Sequence, residues 1–280
     1  METKRGKLYV CATPIGNLED ITIRVLNTLK EVDLIAAEDT RHTLKLLNHY
    51  EIKKPLTSYH EHNKEKKGIE LINKLIEGEN IALVSDAGMP GISDPGEDMV
   101  KLCIENYIEV EVLPGASAII TALVASGLST EKFSFEGFLD RNKKSRRERL
   151  KKIKGDDRTL IFYESPHRLK DTLKDMKEVL DDRSIVAARE LTKKYEELVR
   201  GSISDVINHF KENSPKGEFV ILVEGSTSEE KEDDSFENIS IEEHILLYID
   251  KGLSKKEAVK EVAKVRNISK REVYKYSIEI

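Results

Sequence analysis

A loop rich in glycine and proline, at residues 85–96, limits the folds open to this chain. The apolar run 81–84 leads into the loop, and a helical pattern over residues 97–106 follows it. Its three glycines permit positive φ angles and a close approach to a ligand, and its two prolines stiffen it. Asp94 before Pro95 is a typical helix start. We therefore predict a ligand loop at the carboxyl end of a strand, with Asp86 as its first polar group. The alternative is a strand-to-helix turn without a ligand.

Strands and helices alternate along most of the chain, which indicates an α/β fold with a mainly parallel sheet. Strands are predicted at 8–12, 32–37, 55–59, 81–84 and 109–113. The alternation breaks around 133–139 and resumes with strands at 159–163, 184–188, 197–200 and 219–223. We predict an N-terminal α/β domain over residues 1–118, a second α/β domain over 119–225, an acidic linker over 226–239 and a helical appendage over 240–280.

The bulk composition favours a cytoplasmic globular protein. The 280 residues include no apolar run of the roughly 18 residues that a membrane helix needs. Cys11 and Cys103 both lie in apolar stretches, so we predict reduced core residues. The net charge of −6 does not favour nucleic-acid binding, yet residues 141–152 are strongly basic. That block is either a phosphate-binding patch or a solvated helix face, and the sequence leaves both readings open.

Several common catalytic motifs are missing. No glycine-rich loop precedes Lys-Ser or Lys-Thr, and the first loop does not match Gly-x-Gly-x-x-Gly, which disfavours a P-loop NTPase and a standard dinucleotide fold. His60 and His62 could bind a metal, but no third ligand is evident, so we expect no metal site. Ser117 does not lie in a nucleophile elbow, and no catalytic triad can be assembled.

Six segments, in this order, resemble the tetrapyrrole-methylase-fold enzymes that use S-adenosylmethionine. They read TPIGNL at 13–18, AEDTR at 37–41, SDAGMPGISDPG at 85–96, LPGASA at 113–118, FYESPHR at 162–168 and ARELTK at 188–193. The last two are similar to an RNA-modifying branch that methylates the ribose 2′-hydroxyl of a cytidine in the decoding region of 16S ribosomal RNA. The first segment lacks two glycines of the family's usual Gly-x-Gly-Pro-Gly element.

The resemblance implies two α/β domains of tetrapyrrole-methylase type, a small C-terminal helical appendage, and S-adenosylmethionine bound in the cleft between the domains. It also implies a homodimer that acts on small-subunit RNA or on the assembled subunit. The residues expected to hold the donor are Pro14, Ile15, Gly16, Asp86, Ala87, Gly88, Ile92, Ser117, Ala118 and Tyr163.

A ribose hydroxyl is weakly acidic, so a proton acceptor is expected near it. Three carboxylates in the matching segments are candidates for that role: Asp39, Glu164 and Glu190. The residues expected to bind RNA phosphate are Arg41, Arg168, Arg189 and Lys193, with Arg146 and Arg147 from the basic block. Each of these charges could instead form an ion pair that braces its own loop.

The sequence leaves two other functions open. The same fold could methylate a tetrapyrrole or a side chain of a translation factor. The chain could also be a non-enzymatic module that senses the donor. The charged residues at strand ends favour catalysis.

Overall fold

The computed structural model describes residues 5–226, 239–250, 252–266 and 268–278. The chain divides into two compact units, Met1–Gly225 and Ser226–Ile280. The predicted acidic linker at 226–239 lies almost entirely outside the described residues. In the part of the chain that is described, no helix is long and apolar enough to cross a bilayer.

The first sheet has five parallel strands in the order β3-β2-β4-β1-β5. Its strands are β1 (Lys7–Cys11), β2 (Leu34–Ala37), β3 (Leu56–Ser58), β4 (Ile81–Val84) and β5 (Glu109–Leu113). The helices of this half are α1 (Ile23–Glu31), α2 (Thr40–His49), α3 (Lys64–Ile76), α4 (Gly96–Glu105) and α5 (Ala118–Ser126). Because all five strands run the same way, the loops after β1, β2 and β4 emerge at one edge of the sheet.

Apolar side chains cover both faces of the first sheet. Val25 and Leu29 of α1 are buried in one core, and Leu71 of α3 and Met99 of α4 in the other. A strand covered on both faces is a continuous apolar run, as Ile81–Val84 is. Cys11 and Cys103 are buried and unpaired, as predicted, and burial raises the pKa of each thiol to about 12.

The second sheet is mixed, with the order β6-β7-β10-β8-β9. Its elements are β6 (Phe133–Phe138), α6 (Lys143–Lys152), β7 (Thr159–Glu164), α7 (Leu169–Leu180), β8 (Ser184–Arg189), β9 (Glu197–Ser202), α8 (Ile203–Glu212) and β10 (Phe219–Val223). Strand β10 is antiparallel to both β7 and β8, and β9 is antiparallel to β8. The prediction of a mainly parallel arrangement is therefore correct for the first sheet and wrong for the second.

Helix α5 packs on the second sheet, although it directly follows the last strand of the first. Its Ile119, Ala122 and Leu123 share a core with Val186 of β8 and Val220 of β10. The segment that leads from β5 into α5 therefore passes between the two sheets.

Among its described residues, the C-terminal unit contains three helices, α9 (Ile241–Asp250), α10 (Lys255–Val265) and α11 (Lys270–Tyr276). Ile245, Val262 and Val273 contribute one side chain from each helix to a separate core. Ser254 and Glu257 form a capping box at the start of α10, which defines that end of the helix.

Candidate functional site

The loop at 85–96 is held in a fixed shape by hydrogen bonds to its own backbone and to the loop after β1. Gly88 has a φ of 80° and exchanges two backbone hydrogen bonds with Thr13, at 2.9 and 3.0 Å. The Asp94 carboxylate accepts from the backbone N–H groups of Gly91 and Gly96, both at 2.8 Å. Asp94 was predicted to cap the helix; it closes the loop instead, and Pro95 occupies the N-cap.

A cavity of about 280 Å³ opens beside this loop. Residues of both sheets line it, because the strand-end loops of the first sheet face β7, β8 and β10 of the second. Its size is close to the lower end of the range for small-molecule sites, about 300–1,000 Å³. Eight of the ten residues predicted to hold the donor line this cavity: Ile15, Asp86, Ala87, Gly88, Ile92, Ser117, Ala118 and Tyr163.

The wall contributed by the first sheet is acidic. Glu38 follows β2 and Asp86 follows β4, and these neighbouring strands bring the two side chains together. Asp86 Oδ1 accepts from the backbone N–H of Asp39 at 2.9 Å, and the N–H of Asp86 donates to Glu38 Oε2 at 3.4 Å. Burial raises the pKa of Glu38; the hydrogen bond from Asp86 opposes that shift, while the charges of Asp86 and Asp94 add to it.

The wall contributed by the second sheet carries aromatic rings as well as charged side chains. The Tyr163 ring lies 4.9 Å from that of Phe135 and 5.5 Å from that of Phe138, measured between ring centroids. Burial, and to a smaller extent the charge of Glu218, raises the pKa of Tyr163 to about 12. The tyrosine is therefore uncharged at neutral pH. Exposed Ile92 extends the apolar lining from the opposite side.

Pro14 and Gly16 do not line the cavity. Gly16 lies against the loop that follows β8 in the second sheet. A Cβ atom built on it would lie 2.5 Å from Lys193 Cγ and 2.7 Å from both Leu191 O and Thr192 Oγ1. The backbone N–H of Asn17 also donates to Thr192 Oγ1, at 3.0 Å. The small residue at position 16 is thus required for contact between two loops.

The three carboxylates predicted as proton acceptors are all engaged. Asp39 is ion-paired with Arg41 at 2.6 Å, and hydrogen bonds from Arg41 hold its pKa well below the usual range. Glu164 is buried and accepts from Thr172 Oγ1 at 2.5 Å and from the Ser165 N–H at 2.8 Å. Glu190 pairs with Lys193 at 3.0 Å. Glu164 and Glu190 line the cavity, and Asp39 does not.

The predicted RNA-binding residues fall into two groups. Arg41 is 86% exposed and Lys193 lines the cavity, so both cations are accessible. Arg168 donates to the carbonyl of Leu139 at 2.6 Å, and Arg189 pairs with Glu197 at 2.6 Å. These last two cations brace loops of the second sheet.

Arg146 and Arg147, which the sequence predicted to bind RNA, both form ion pairs within the fold. Arg146 is buried, and its guanidinium contacts the buried carboxylate of Asp175 at 2.5 Å. Arg147 binds the other oxygen of Asp175 at 2.7 Å and also pairs with Glu178. Both side chains therefore connect α6 to α7. A charge buried at a helix–helix contact needs an oppositely charged partner, and α7 provides it.

The cavity residues that were given no role from the sequence include Glu38, Phe138 and Glu218. Glu38 precedes the predicted Asp39 and is the first residue after β2. The strand-end rule that selected Asp86 could therefore have selected Glu38. No comparable local signal marks Phe138 or Glu218, which reach the cavity through the pairing of β6 and β10 with β7.

Comparison with known proteins identifies the family. The sequence model of the Tetrapyrrole (Corrin/Porphyrin) Methylases matches residues 7–207. The ribosomal RNA small subunit methyltransferase I of Halalkalibacterium halodurans is 55% identical over 271 residues, which are 96% of this chain and 94% of that protein. The protein of the same name from Thermotoga maritima is 52% identical over 220 residues, 79% of this chain and 99% of that protein.

A solved structure agrees at the level of the fold. The uroporphyrin-III C-methyltransferase of Thermus thermophilus, complexed with S-adenyl homocysteine, aligns with a TM-score of 0.56 at 17% identity, over 78% of this chain and 97% of that chain. The chain therefore belongs to the tetrapyrrole methylase family and, within it, to the branch of the ribosomal RNA small subunit methyltransferase I proteins.

Proposed function

We propose that this protein transfers a methyl group from S-adenosylmethionine to the ribose 2′-hydroxyl of a cytidine in the decoding region of 16S ribosomal RNA. The observation that carries the proposal is the cavity between the two sheets, which is lined by the loop of residues 85–96. Relatives above 50% identity that are named small-subunit RNA methyltransferases support it.

The cavity lining suits the methyl donor. S-adenosylmethionine needs an apolar surface for its adenine base and polar acceptors for its ribose hydroxyls and for the ammonium group of its methionine part. Tyr163, Phe138 and Ile92 supply the first, and Asp86 with backbone groups of residues 87 and 88 supplies the second. The positive φ of Gly88 lets the loop backbone approach the ligand without a side chain in between.

The donor supplies an already activated methyl group, so the main task of the protein is to hold the ribose oxygen in line behind that methyl. Placing both partners in one cleft performs this task. The exposed cations Arg41 and Lys193 are suited to RNA phosphates, which position the substrate without reading its sequence.

Donor binding can be tested by calorimetry with Asp86→Ala and Gly88→Val. We expect each variant to bind the donor at least tenfold more weakly. Gly127→Val is the matched control for Gly88→Val, because both glycines have a φ of 80° and a Cβ on Gly127 would meet no atom within 4 Å. Wild-type affinity in both cavity variants would contradict this assignment.

The reaction can be tested with labelled donor and small ribosomal subunits isolated from cells that lack this modification. We expect the label on the ribose of a cytidine after nuclease digestion and mass spectrometry. Assays with free 16S RNA in place of the subunit would show which of the two is the substrate. Label transferred only to a tetrapyrrole or a protein would refute the proposal, and so would donor binding without transfer.

We also propose a homodimer in the cytoplasm, where ribosomal subunits are made. Helix α5 carries Ile120 and Val124 on its exposed side, at 47% and 73% exposure, and Val112 on the edge strand β5 is 53% exposed. Contiguous apolar patches at a surface mark contact sites, and we propose that these side chains form such a patch. Sedimentation should show a dimer for wild type and a monomer for Val124→Lys, with Ile69→Lys on α3 as the control. A wild-type monomer would exclude this assembly.

A further inference from the structure

Six carboxylates line the cavity, and three of them are held by short hydrogen bonds or an ion pair. The six are Glu38, Asp86, Asp94, Glu164, Glu190 and Glu218. Asp94 is bound by two backbone N–H groups, Glu164 by Thr172 and Ser165, and Glu190 by Lys193. The oxygens of these three carboxylates already accept hydrogen bonds from groups of the protein itself.

Glu38 differs from them in its surroundings. It is half-buried and accepts one long hydrogen bond, from the Asp86 N–H at 3.4 Å. Among the described residues, no lysine or arginine pairs with it within 4 Å, in contrast to the neighbouring Asp39 with its Arg41. Its oxygens therefore keep acceptor capacity that faces the cavity.

The fold places Glu38 at the carboxyl ends of the strands of the first sheet, beside the central strand β4. It follows β2, which lies between β3 and β4. The loop after β4 contains the predicted donor-binding residues, and Asp86 of that loop contacts Glu38 directly. A side chain at the end of a strand is positioned more rigidly than one at the tip of a loop. Such rigid placement favours a role in the reaction itself.

We propose that Glu38 is the proton acceptor for the ribose hydroxyl in the methyl transfer. The inference rests on the proposed function. As the hydroxyl oxygen forms its bond to the methyl carbon, its proton passes to the Glu38 carboxylate. The bond between sulfur and the methyl carbon breaks, and its electron pair stays on sulfur, so that the sulfonium becomes a neutral thioether. The carboxylic acid then loses its proton to solvent.

The electrostatics of the wall support this role. Burial raises the pKa of Glu38, the hydrogen bond from Asp86 counteracts it, the charges of Asp86 and Asp94 raise it further, and His60 lowers it. The net result is a carboxylate with more affinity for a proton than an ordinary surface glutamate. Efficient general bases have a pKa moved towards the working pH in this way.

The test compares Glu38→Gln with wild type in three measurements: single-turnover methyl transfer to small subunits with saturating donor, donor affinity by calorimetry, and the pH dependence of the rate. We expect the rate to fall about 10²–10⁴-fold, with donor affinity within twofold of wild type. The loss of rate that wild type shows at acid pH should be absent. Glu38→Asp, which keeps a carboxylate, should keep part of the wild-type rate and should still lose rate at acid pH.

Glu31→Gln, at the exposed last residue of α1, is the matched control and should transfer methyl at the wild-type rate. An unchanged rate in Glu38→Gln would overturn the proposal. So would a loss confined to donor affinity, which would make Glu38 a donor-binding residue. If Glu38→Gln does not fold, the proposal is overturned by a Glu38→Asp variant whose methyl-transfer rate no longer falls at acid pH. Wild type that transfers no methyl to subunits would instead refute the proposed function.

Discussion

Gly16 shows how a single residue can determine whether the two walls of the cleft meet. Its missing side chain leaves room for the loop at 190–196, where Glu190 and Thr192 already have positive φ angles of 50° and 64°. Such strained backbone persists only where neighbouring atoms enforce it. The close contact with Gly16 is one of the interactions that hold this loop in place.

We predict that Gly16→Ala displaces this loop and lowers methyl transfer at least tenfold. The new Cβ would lie 2.7 Å from the Leu191 carbonyl, a backbone atom that cannot move without the loop. Overpacking of this kind costs about 1–3 kcal/mol of folding free energy. Urea unfolding and single-turnover rates measure the two effects.

Gly127→Ala provides the comparison. It introduces strain at a φ of 80° but meets no neighbouring atom, so it should lose stability while keeping its methyl-transfer rate. Equal rates in Gly16→Ala and wild type would show that the contact at Gly16 is not needed for activity.

The buried pair of Arg146 and Asp175 is a second residue-scale determinant, and it concerns stability. We predict that Arg146→Met destabilises the protein by about 3 kcal/mol, because it leaves the buried carboxylate of Asp175 with Arg147 alone. Arg158→Met breaks the more exposed pair with Asp156 and should cost much less stability than Arg146→Met. Similar costs in the two variants would contradict the special importance of the buried pair.

The same pair implies a pH dependence with a definite sign. Burial tends to raise the pKa of Asp175, but hydrogen bonds from Arg147 and Arg146 outweigh it and hold the pKa below its ordinary value. A carboxyl with a lower pKa in the folded state stabilises the protein above its unfolded-state pKa of about 3.9 and loses this contribution as pH falls. Asp175→Asn should therefore show less loss of stability than wild type between about pH 5 and 3 in denaturant titrations.

The sequence predicted which residues lie at strand ends, but it did not predict the side chains with which they pair. Asp86 and Tyr163 line the cavity because each lies at or after the end of an apolar run, a local property. Glu38 lines the cavity whereas the adjacent Asp39 pairs with Arg41, and nothing in the sequence indicated this difference. Arg146 was assigned to RNA because a basic run gives no sign that Asp175, on the next helix, is buried opposite it.

At the scale of elements, helix α6 carries two kinds of cation. Some form ion pairs with the neighbouring helix, and others are exposed to solvent. Arg146 and Arg147 face α7, whereas Lys143, Lys144 and Lys151 are exposed and form no ion pair within the described part of the chain. The helix begins shortly after Phe138, a residue of the cavity wall. Its exposed lysines are therefore well placed for RNA that enters the cleft.

We predict that the triple change of Lys143, Lys144 and Lys151 to Gln weakens RNA binding and makes it less dependent on salt. For every phosphate that the variant no longer neutralises, the slope of log K against log salt should become shallower by about 0.7–0.9. Binding assays across a salt series measure this slope, and Arg146→Met, which removes an inward-facing charge, should leave it unchanged. A wild-type slope in the triple variant would exclude these lysines from the interface.

The elements themselves were predictable to the extent that their signals are local. The first sheet follows from apolar runs that alternate with helical patterns. Strand β6 was missed because Phe133–Phe138 contains a bulge between Phe135 and Gly137 and few fully buried residues. The antiparallel placement of β10 depends on its pairing with β7 and β8, which lie far from it in the sequence, and no pattern within β10 itself indicates this pairing.

At the scale of the whole molecule, the cavity and the methyl-transfer residues all belong to Met1–Gly225. The C-terminal unit has its own apolar core. The relative from T. maritima is covered over 99% of its length by 220 matched residues, so it is shorter than this chain by about the length of the C-terminal unit. A methyltransferase of this branch can evidently exist at that shorter length.

We predict that a chain ending at Gly225 folds cooperatively and binds the methyl donor with an affinity within about twofold of the full chain. The reason is that both sheets, their covering helices and every residue of the cavity remain present. Calorimetry with the donor and thermal unfolding of the two chains provide the measurement. A truncated chain with a deletion that also removes β10 (Phe219–Val223) is the control: it should not fold, because β10 is the central strand of the second sheet. If the chain ending at Gly225 binds the donor more than tenfold more weakly than the full chain, the C-terminal unit must contribute to the donor site.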